Sequence, residues 1–368
     1  MSPQTEPAPK ESKIHLRDLS LLELREFVTG HHVPAYRYRQ LVSWLYCKLA
    51  NDLLSMTDLP LAFRESLDRE AVVHASQVVS IQTSNVDATR KFLFELSDGS
   101  LVESVLMRHG KRATVCVSSQ VGCPLDCVFC QTGMGVFGRN LTSGEILDQV
   151  CHLKGETGED AGKIHVVFMG MGEPLLNYHS VVKAIRVLND PEGLDMGSRR
   201  ITVSTAGLVG RIRSLADERL RCSLAVSLNA SSDEKRRQLM PALSRHSLEE
   251  ILAAAAYFHD RSGRRVTIEY VLLHGVNTSR EDARLLGKLV RGRPFKLNLI
   301  PYNPDKEGRF ESISDEEIDR FVRTLLPDAP TVTVRRSKGP DIDAACGQLW
   351  TQSLARTKRP VQESRDSG

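Results

Sequence analysis

Four of the chain's eight cysteines lie within fifteen residues, in the segment CVSSQVGCPLDCVFC. Three of them, Cys123, Cys127 and Cys130, follow the spacing C-x3-C-x2-C, and Cys116 stands seven residues before the first of the three. Thiolates bind soft metals strongly, and a short loop brings three sulfurs to one centre at a low entropic cost. This spacing therefore predicts a metal centre on the three later cysteines and leaves the role of Cys116 open.

Two kinds of metal centre compete for this loop. A structural zinc ion takes four ligands, which usually come as two pairs, whereas the loop supplies three closely spaced sulfurs and no obvious second pair follows. Three thiolates leave one iron of a 4Fe–4S cluster with an open position, where a small molecule can bind and accept an electron. The spacing therefore favours one 4Fe–4S cluster over zinc.

The composition is that of an ordinary soluble globular protein. Of 368 residues, 41% are hydrophobic and 26% are charged, and a net charge of +3 permits nucleic-acid binding without arguing for it. No uninterrupted apolar run approaches 18 residues, and the first dozen residues lack the apolar core of a signal peptide. We therefore predict a cytoplasmic protein with no membrane partner. In that reducing compartment, clustered cysteines favour metal or redox chemistry over structural disulfides.

Two units with different patterns precede the cysteine segment. Residues 14–75 carry apolar stripes at helical spacing and predict a small helical domain. Between 90 and 107, apolar residues alternate on both sides of an Asp98-Gly99 turn, which predicts a β-hairpin inside a connection at 76–110. Glu103 lies among apolar neighbours in the second strand of this hairpin. A buried carboxylate is costly unless it is paired or functional.

Short apolar strands alternate with amphipathic helices across residues 111–305. Six β-α repeats predict parallel strands joined by crossover helices, and an open or closed α/β barrel fits this pattern better than a doubly wound sheet. The predicted strands are 114–117, 164–169, 200–205, 223–228, 266–272 and 297–300, and the predicted helices lie near 143–154, 178–189, 208–217, 247–261 and 279–292.

A C-terminal extension and two disordered ends complete the predicted organisation. The extension covers residues 306–350 and carries a helix near 314–325 and a strand at 331–335. Residues 1–13 and 351–368 lack apolar periodicity and are predicted to be disordered.

The residues that could do chemistry fall at the C-terminal ends of the predicted strands, which is where the active site of a parallel α/β barrel lies. The cysteine loop follows the first strand, and the GMGEP segment at 170–174 follows the second. Ser204 ends the third strand, Ser227 ends the fourth and Asn303 follows the sixth. The sequence therefore predicts one site at this edge of the sheet.

Several motifs together carry a family resemblance. The C-x3-C-x2-C spacing, with Phe129 before the last cysteine, resembles that of the radical S-adenosylmethionine (SAM) superfamily. CVSSQVGC before the cluster, RNLT at 139–142, GMGEP at 170–174 and AACGQL at 344–349 resemble the RlmN/Cfr family of RNA adenosine methyltransferases. The resemblance runs from residue 14 to about residue 349. It implies an α/β fold with a partial (β/α)6 radical SAM barrel, a small N-terminal helical domain and a C-terminal extension.

The same resemblance implies the cofactors and their ligands. Cys123, Cys127 and Cys130 would hold the 4Fe–4S cluster, and two molecules of SAM would be used in each turnover. The family often has histidine at the position of Asn229, which alters one contact to the cofactor. The residues implied to contact SAM are Gly172, Glu173, Ser204, Ser227, Leu228, Asn229 and Asn303.

A two-cysteine mechanism is also implied by the resemblance. Cys346 would carry the methyl group as S-methylcysteine, and a radical on that methyl group would add to an adenine ring carbon. Cys116 would release the product by forming a transient disulfide with Cys346, and Glu103 would accept a proton. A displacement reaction cannot deliver a methyl cation to an adenine carbon that has no lone pair, so the chemistry requires the radical.

The resemblance finally implies the partners. The substrate would be an adenosine in 23S ribosomal RNA, with transfer RNA as a second candidate, and C2 would be methylated in preference to C8. An electron donor such as flavodoxin or ferredoxin would reduce the cluster, and the protein would work as a monomer. Arg335, Arg336 and Lys338 could bind phosphates next to the carrier loop, with residues 14–75 as a second RNA contact. The alternative from another class is a non-catalytic RNA-binding protein with a structural metal.

Overall fold

The computed structural model describes residues 13–158, 164–243, 245–304, 308–329 and 331–349. The predicted disordered segments lie outside this range, except for Lys13. Among the described residues, no helix is both long and apolar enough to cross a membrane.

The first unit is a helical module closed by a short parallel strand pair. Its helices bury an apolar stripe that includes Leu24, Leu41 and Leu45, each of them fully buried. Ser20 starts the first helix because its side chain accepts a hydrogen bond from Glu23 N, and the Glu23 carboxylate accepts one from Ser20 N. The elements are β1 (Ile14–His15), α1 (Leu21–Gly30), α2 (Tyr36–Val42), α3 (Leu61–Glu70) and β2 (Ala71–Val72).

In the described part of the chain, all remaining strands belong to one sheet of ten strands, in the order β12-β11-β10-β9-β8-β7-β6-β5-β4-β3. Pairing is antiparallel from β3 to β6 and parallel from β6 to β12. The strands are β3 (Ser76–Thr83), β4 (Arg90–Leu96), β5 (Leu101–His109), β6 (Arg112–Cys116), β7 (Ile164–Phe168), β8 (Ile201–Thr205), β9 (Ser223–Ser227), β10 (Val266–Leu272), β11 (Phe295–Pro301) and β12 (Val332–Val334).

Helices follow the parallel strands, as the alternating pattern predicts. Four of the longer helices, α5, α9, α10 and α11, begin with a reciprocal side-chain cap at Thr142, Ser247, Ser279 and Ser314 respectively. The helices are α4 (Gln131–Met134), α5 (Ser143–Gly155), α6 (Tyr178–Asn189), α7 (Val209–Asp217), α8 (Asp233–Leu239), α9 (Leu248–Ser262), α10 (Arg280–Val290) and α11 (Asp315–Leu325).

The predicted α/β fold with parallel strands is confirmed, and the sheet is open. Among the described residues, β3 and β12 are its two edges and do not pair with each other. The strand predicted inside the C-terminal extension joins the sheet as a seventh parallel strand, paired with β11. Residue patterns alone do not predict β3, because most of that edge strand is exposed and shows no buried alternation.

A buried ionic cluster connects the helical module to the first crossover helix. The Asp148 carboxylate on α5 accepts a hydrogen bond from Arg17 Nη1 at 2.8 Å, and His15 Nε2 lies 3.4 Å from its second oxygen. His15, Arg17 and Asp148 are all buried. The same carboxylate accepts bonds from Ala75 N at 3.0 Å and Ser76 Oγ at 3.1 Å. Asp148 therefore joins the helical module, β3 and α5 at one point.

Candidate functional site

The C-terminal ends of the parallel strands surround one cavity. It brings together residues from the ends of β6 to β11 or the loops that follow them, as the strand-end argument predicts, and it adds Cys346 and Gly347 from the segment after β12. Of the sequence-predicted residues, the cavity is lined by Cys123, Cys127, Cys130, Gly172, Glu173, Ser204, Ser227, Asn229, Asn303 and Cys346.

The cysteine loop is held in a conformation that only particular residues allow. Gly122 has φ +74°, and a Cβ at this position would lie 2.4 Å from Val136 O, so a side chain cannot be accommodated there. Cys130 N donates to Cys127 O at 3.0 Å, and Val128 N donates to Leu239 O at 3.1 Å. These bonds fix the loop against itself and against the end of α8.

Burial raises the pKa of Cys123 to about 12 and raises that of Cys127 well above its usual value, and the neighbouring thiols act in the same direction. Such thiols ionise only when a cationic centre compensates the charge, as a coordinated metal does. In the part of the chain that the structure describes, no three His, Cys, Asp or Glu side chains converge on a single metal ion. A cluster does not need that convergence, because each thiolate binds a different iron. The donor set of three soft sulfurs in one cavity fits a 4Fe–4S cluster.

Glu173 is a buried carboxylate in the loop after β7. Its side chain accepts hydrogen bonds from Ala206 N at 2.7 Å and Leu175 N at 2.9 Å. Burial raises its pKa to about 7 in spite of these two bonds. Gly172, with φ +97°, leaves no room for a Cβ beside the Gln120 side chain, which would lie 2.5 Å away. The glycine therefore lets the backbone pass close enough to place Glu173 in the cavity.

Polar groups at the ends of β8 to β11 line the opposite wall of the cavity. Ser204 Oγ donates to Glu269 Oε2 at 3.1 Å, and Asn298 Nδ2 lies 3.3 Å from Glu269 Oε1. Asn303 Nδ2 is shielded from solvent and has no hydrogen-bond partner among the residues that the structure describes. A buried amide without a partner is costly unless a ligand supplies one. The wall therefore has unused hydrogen-bonding capacity for a polar ligand.

Asn229 lines the cavity, whereas the neighbouring Leu228 does not. Asn229 has φ +57°, a left-handed conformation that asparagine tolerates better than most residues. Its Oδ1 accepts a bond from Val271 N at 3.0 Å, so this side chain ties β9 to β10 at the cavity. Leu228 is fully buried and lies behind the cavity wall, where its N–H donates to Glu269 O at 2.9 Å. Any contact of Leu228 with a ligand in the cavity is therefore indirect in this structure.

A second, smaller cavity lies beside the first and is lined by Cys116. Cys346 lines both cavities. The turn that carries Cys346 therefore lies between Cys116 and the loop of Cys123, Cys127 and Cys130, here called the cluster loop. Burial raises the pKa of Cys116 to about 12 and also raises that of Cys346. The Arg335 guanidinium lines the second cavity and opposes both shifts. Arg335 thus supplies positive charge where two thiols would have to react as thiolates.

The segment that carries Cys346 docks on the cluster loop. Gln131 N donates to Gly347 O at 2.8 Å, and Thr132 Oγ1 donates to Leu349 O at 2.5 Å. Gly347 has φ +83°, which glycine adopts without strain. Although Cys346 is exposed by surface area, protein atoms surround its thiol and account for its raised pKa. The thiol therefore faces cavity space on a turn that is fastened to the cluster loop.

Glu103 lines neither cavity. It is buried on β5, and its carboxylate lies 3.1 Å from Lys91 Nζ. Lys91 Nζ also lies 3.4 Å from Asp343 O, three residues before Cys346. Glu103 is therefore linked through Lys91 to the segment that carries Cys346.

Sequence reasoning missed two further buried charges of this region, Glu269 and Lys91. Each stands among apolar residues in a strand, the same signal that singles out Glu103. The signal was therefore present in the strand patterns VTIEYVL and RKFLFEL.

Two family models match the chain. Residues 117–286 match the model described as "Radical SAM superfamily", and residues 14–73 match the "Ribosomal RNA large subunit methyltransferase N-terminal domain". Together they cover the cysteine loop, the strands β7 to β10 and the helical module that Asp148 joins to α5.

Curated relatives match over almost the full length of the chain. A protein from Salinibacter ruber named "Probable dual-specificity RNA methyltransferase RlmN" is 45% identical, covering 92% of this chain and 94% of its own length. "Dual-specificity RNA methyltransferase RlmN" from Geotalea uraniireducens is 42% identical, covering 92% and 96% respectively. Among solved structures, a radical SAM methyltransferase from Sphaerobacter thermophilus aligns with a TM-score of 0.88 and 43% identity, covering 91% of this chain and 99% of that one.

Proposed function

We propose a function from the premise that this chain belongs to the RlmN family of radical SAM RNA methyltransferases. Membership implies an RNA substrate, a 4Fe–4S cluster and SAM. Beyond that, we propose that the enzyme methylates C2 of an adenine in 23S ribosomal RNA and also acts on transfer RNA. The observation that carries the proposal is the position of Cys346, which lines both the cavity of the three cluster thiols and the cavity of Cys116.

The cluster would be held by Cys123, Cys127 and Cys130, and when bound it would supply the electron that cleaves SAM into methionine and a carbon radical. The strand-end wall would hold the rest of SAM. Asn303 offers an unused donor, and the Ser204–Glu269–Asn298 chain of hydrogen bonds offers a polar surface. Leu228, with its side chain in the core, would act through its backbone.

Cys346 would be the methyl carrier. Its thiolate would first take a methyl group from SAM, and the radical would then remove a hydrogen atom from that methyl group. The carbon radical on Cys346 would add to adenine C2, and loss of one electron to the oxidised cluster and of the C2 proton would restore the ring and leave the RNA attached to the protein. The Cys116 thiolate would attack the sulfur of Cys346, forming a disulfide and breaking the carbon–sulfur bond, and the released carbon would take up a proton to give the methylated base. Their shared cavity and the positive charge of Arg335 support this pairing.

Glu103 would accept the proton that leaves adenine C2. In this structure its carboxylate contacts Lys91, which also donates to Asp343 O in the segment that carries Cys346. Access to the base would require the adenine to leave its stack and enter from the side of Cys346. The helical module and the basic residues Arg336 and Lys338 at the second cavity would contact the RNA backbone.

Affinity for SAM is expected to rise with pH if Glu173 holds the ammonium group of SAM. The pKa of Glu173 is about 7, so about a tenth of the molecules carry the carboxylate at pH 6 and about nine tenths at pH 8. The dissociation constant should therefore be about tenfold larger at pH 6 than at pH 8. Anaerobic titration calorimetry on cluster-loaded protein measures this ratio.

Glu173→Gln is the control for that pH dependence. It should bind SAM weakly and with almost no change between pH 6 and pH 8. If the SAM dissociation constant of Glu173→Gln changes with pH as much as that of the parent protein, another group causes the pH dependence and Glu173 does not hold the ammonium group of SAM.

Anaerobic reconstitution tests the proposed reaction itself. Cluster-loaded protein incubated with SAM, a reductant and 23S RNA or transfer RNA should yield 2-methyladenosine, identified by retention time and mass after digestion to nucleosides. If 8-methyladenosine appears instead, the enzyme methylates C8 of the adenine and the proposed C2 target is wrong. A lack of any methylated adenosine in both RNAs, with full iron and sulfide content, would refute the proposed function.

A further inference from the structure

Arg236 is a fully buried cation between the cluster loop and the strand ends that line the cavity. It lies on α8 and is 1% exposed. Its Nη1 donates to Leu228 O at 2.6 Å and to Ser227 O at 3.2 Å, and its Nη2 donates to Ala206 O. The guanidinium therefore joins the ends of β8 and β9, directly behind the wall of the cavity.

No described carboxylate pairs with this guanidinium. Among the described residues, Arg236 forms no ion pair, and its buried Nε has no hydrogen-bond partner there. Its contacts are neutral carbonyl groups and the Met240 sulfur, 3.4 Å from Nη1. Burying a cation without an anion costs several kcal/mol in real proteins. Such an arrangement indicates that an anionic partner is present in the loaded protein.

Two residues that Arg236 contacts line the cavity of the cluster thiols. Its Nη2 donates to Ala206 O and its Nη1 lies 3.4 Å from the Met240 sulfur, and both residues line the cavity together with Cys127. Burial lowers the pKa of Arg236 to about 10, and Cys127 and, more weakly, Asp233 oppose this shift. The hydrogen bond from Val128 N to Leu239 O, 3.1 Å long, fastens the loop to the end of the same helix. The iron–sulfur centre itself is therefore the anionic group that fits this position. A 4Fe–4S cluster with three thiolates is negatively charged and gains another negative charge on reduction.

We propose that Arg236 is the buried counter-charge of the 4Fe–4S cluster, a positioning residue that stabilises the reduced state and so sets the reduction potential. This inference rests on the cluster assigned to Cys123, Cys127 and Cys130. One electron enters the cluster from the external donor, no bond is made to Arg236 and no proton moves. A fixed cation at low dielectric favours the state with the additional negative charge.

A redox titration followed by the electron paramagnetic resonance of the reduced cluster tests the proposal without RNA, SAM or turnover. Arg236→Gln should lower the equilibrium constant for reduction by about tenfold or more, a shift of about 59 mV or more to lower potential for a one-electron couple. Arg236→Lys keeps the charge and should stay within about threefold of the parent protein. Arg264→Gln is the matched control, because Arg264 donates to Cys222 O near the start of β9, at the strand's opposite end.

The outcomes separate this inference from the proposed function. A parent protein that binds no iron would refute the cluster and with it the proposed function. A loaded Arg236→Gln protein with the parent potential would overturn only the role of Arg236. If Arg236→Gln fails to take up iron, Arg236→Lys decides. A tenfold lower equilibrium constant for cluster reduction in the lysine variant would overturn a charge role. An unchanged reduction potential together with lower thermal stability supports it.

Discussion

Replacing Cys346 with alanine is expected to abolish RNA methylation while leaving the cluster and the fold in place. The thiol lines the cavity wall and is not one of the three thiols of the cluster loop, and the turn is fastened by backbone and Thr132 contacts that alanine keeps. Removal of a covalent catalytic group typically costs a thousandfold or more in rate, on the order of what nucleophile deletions show. The measurement is methylated adenosine per enzyme, with iron content determined on the same sample.

Cys116→Ala is expected to fail at a different step. Without the thiol that attacks Cys346, the carbon–sulfur bond to the RNA persists, so protein covalently attached to RNA should accumulate. A denaturing gel with labelled RNA detects this species, and the double variant that also lacks Cys346 should show none. Cys222→Ala is the matched control, because Cys222 is a buried cysteine immediately before β9 that lines neither cavity, and this variant should keep the parent activity. A Cys116→Ala protein that releases product at the parent rate would contradict the resolving role.

The contrast between the two variants follows from where the two cysteines lie. Cys116 ends β6 and Cys346 lies on the segment after β12, 230 residues later. Five strands lie between β12 and β6 in the sheet, so the two cysteines line one cavity only because the segment after β12 folds back over the strand ends. No local pattern in the sequence encodes that return. The pairing was accessible from the sequence only through the family resemblance.

The cluster loop and the strand-end residues, in contrast, follow from the sequence by physical argument. Cys123, Cys127 and Cys130 are close in sequence, so a short loop is enough to bring them together. Ser204 and Ser227 each end an apolar strand, and parallel strands bring such ends to one edge. These predictions need only local patterns and the direction of the strands.

Buried charges in polar segments are the part that the sequence does not reveal. Arg236 stands in the run DEKRRQL, where the pattern is that of a solvated helix face. Its neighbour Arg237 is exposed and Arg236 is buried, and only the position of α8 over the strand ends decides between them. Short charged helices of this kind carry no apolar periodicity, so both the element and its buried residue are missed.

Asp148→Asn is expected to lower the free energy of unfolding by about 3–5 kcal/mol, the cost of leaving buried charges without their partner. The variant removes the anion that faces Arg17 at 2.8 Å and His15 at 3.4 Å, while both of those side chains stay buried. Urea unfolding of the purified chain measures the change. Asp217→Asn is the control, since Asp217 pairs with Arg261 on the surface at 3.2 Å, and loss of an exposed pair should cost about 1 kcal/mol or less.

The pH dependence of stability gives this prediction a second, independent readout. Burial alone would lower the pKa of His15, but the carboxylates of Asp148 and Asp18 raise it to about 9 from a usual value of 6.5. A raised histidine pKa means that the folded state binds the proton more tightly than the unfolded state. The contribution of protonated His15 to the free energy of unfolding is therefore complete below pH 6.5 and is lost as the pH rises towards 9. The parent protein should therefore lose stability between pH 6.5 and pH 9. Asp148→Asn should show a much smaller loss over that range, and equal slopes in both proteins would mean that His15 does not depend on Asp148.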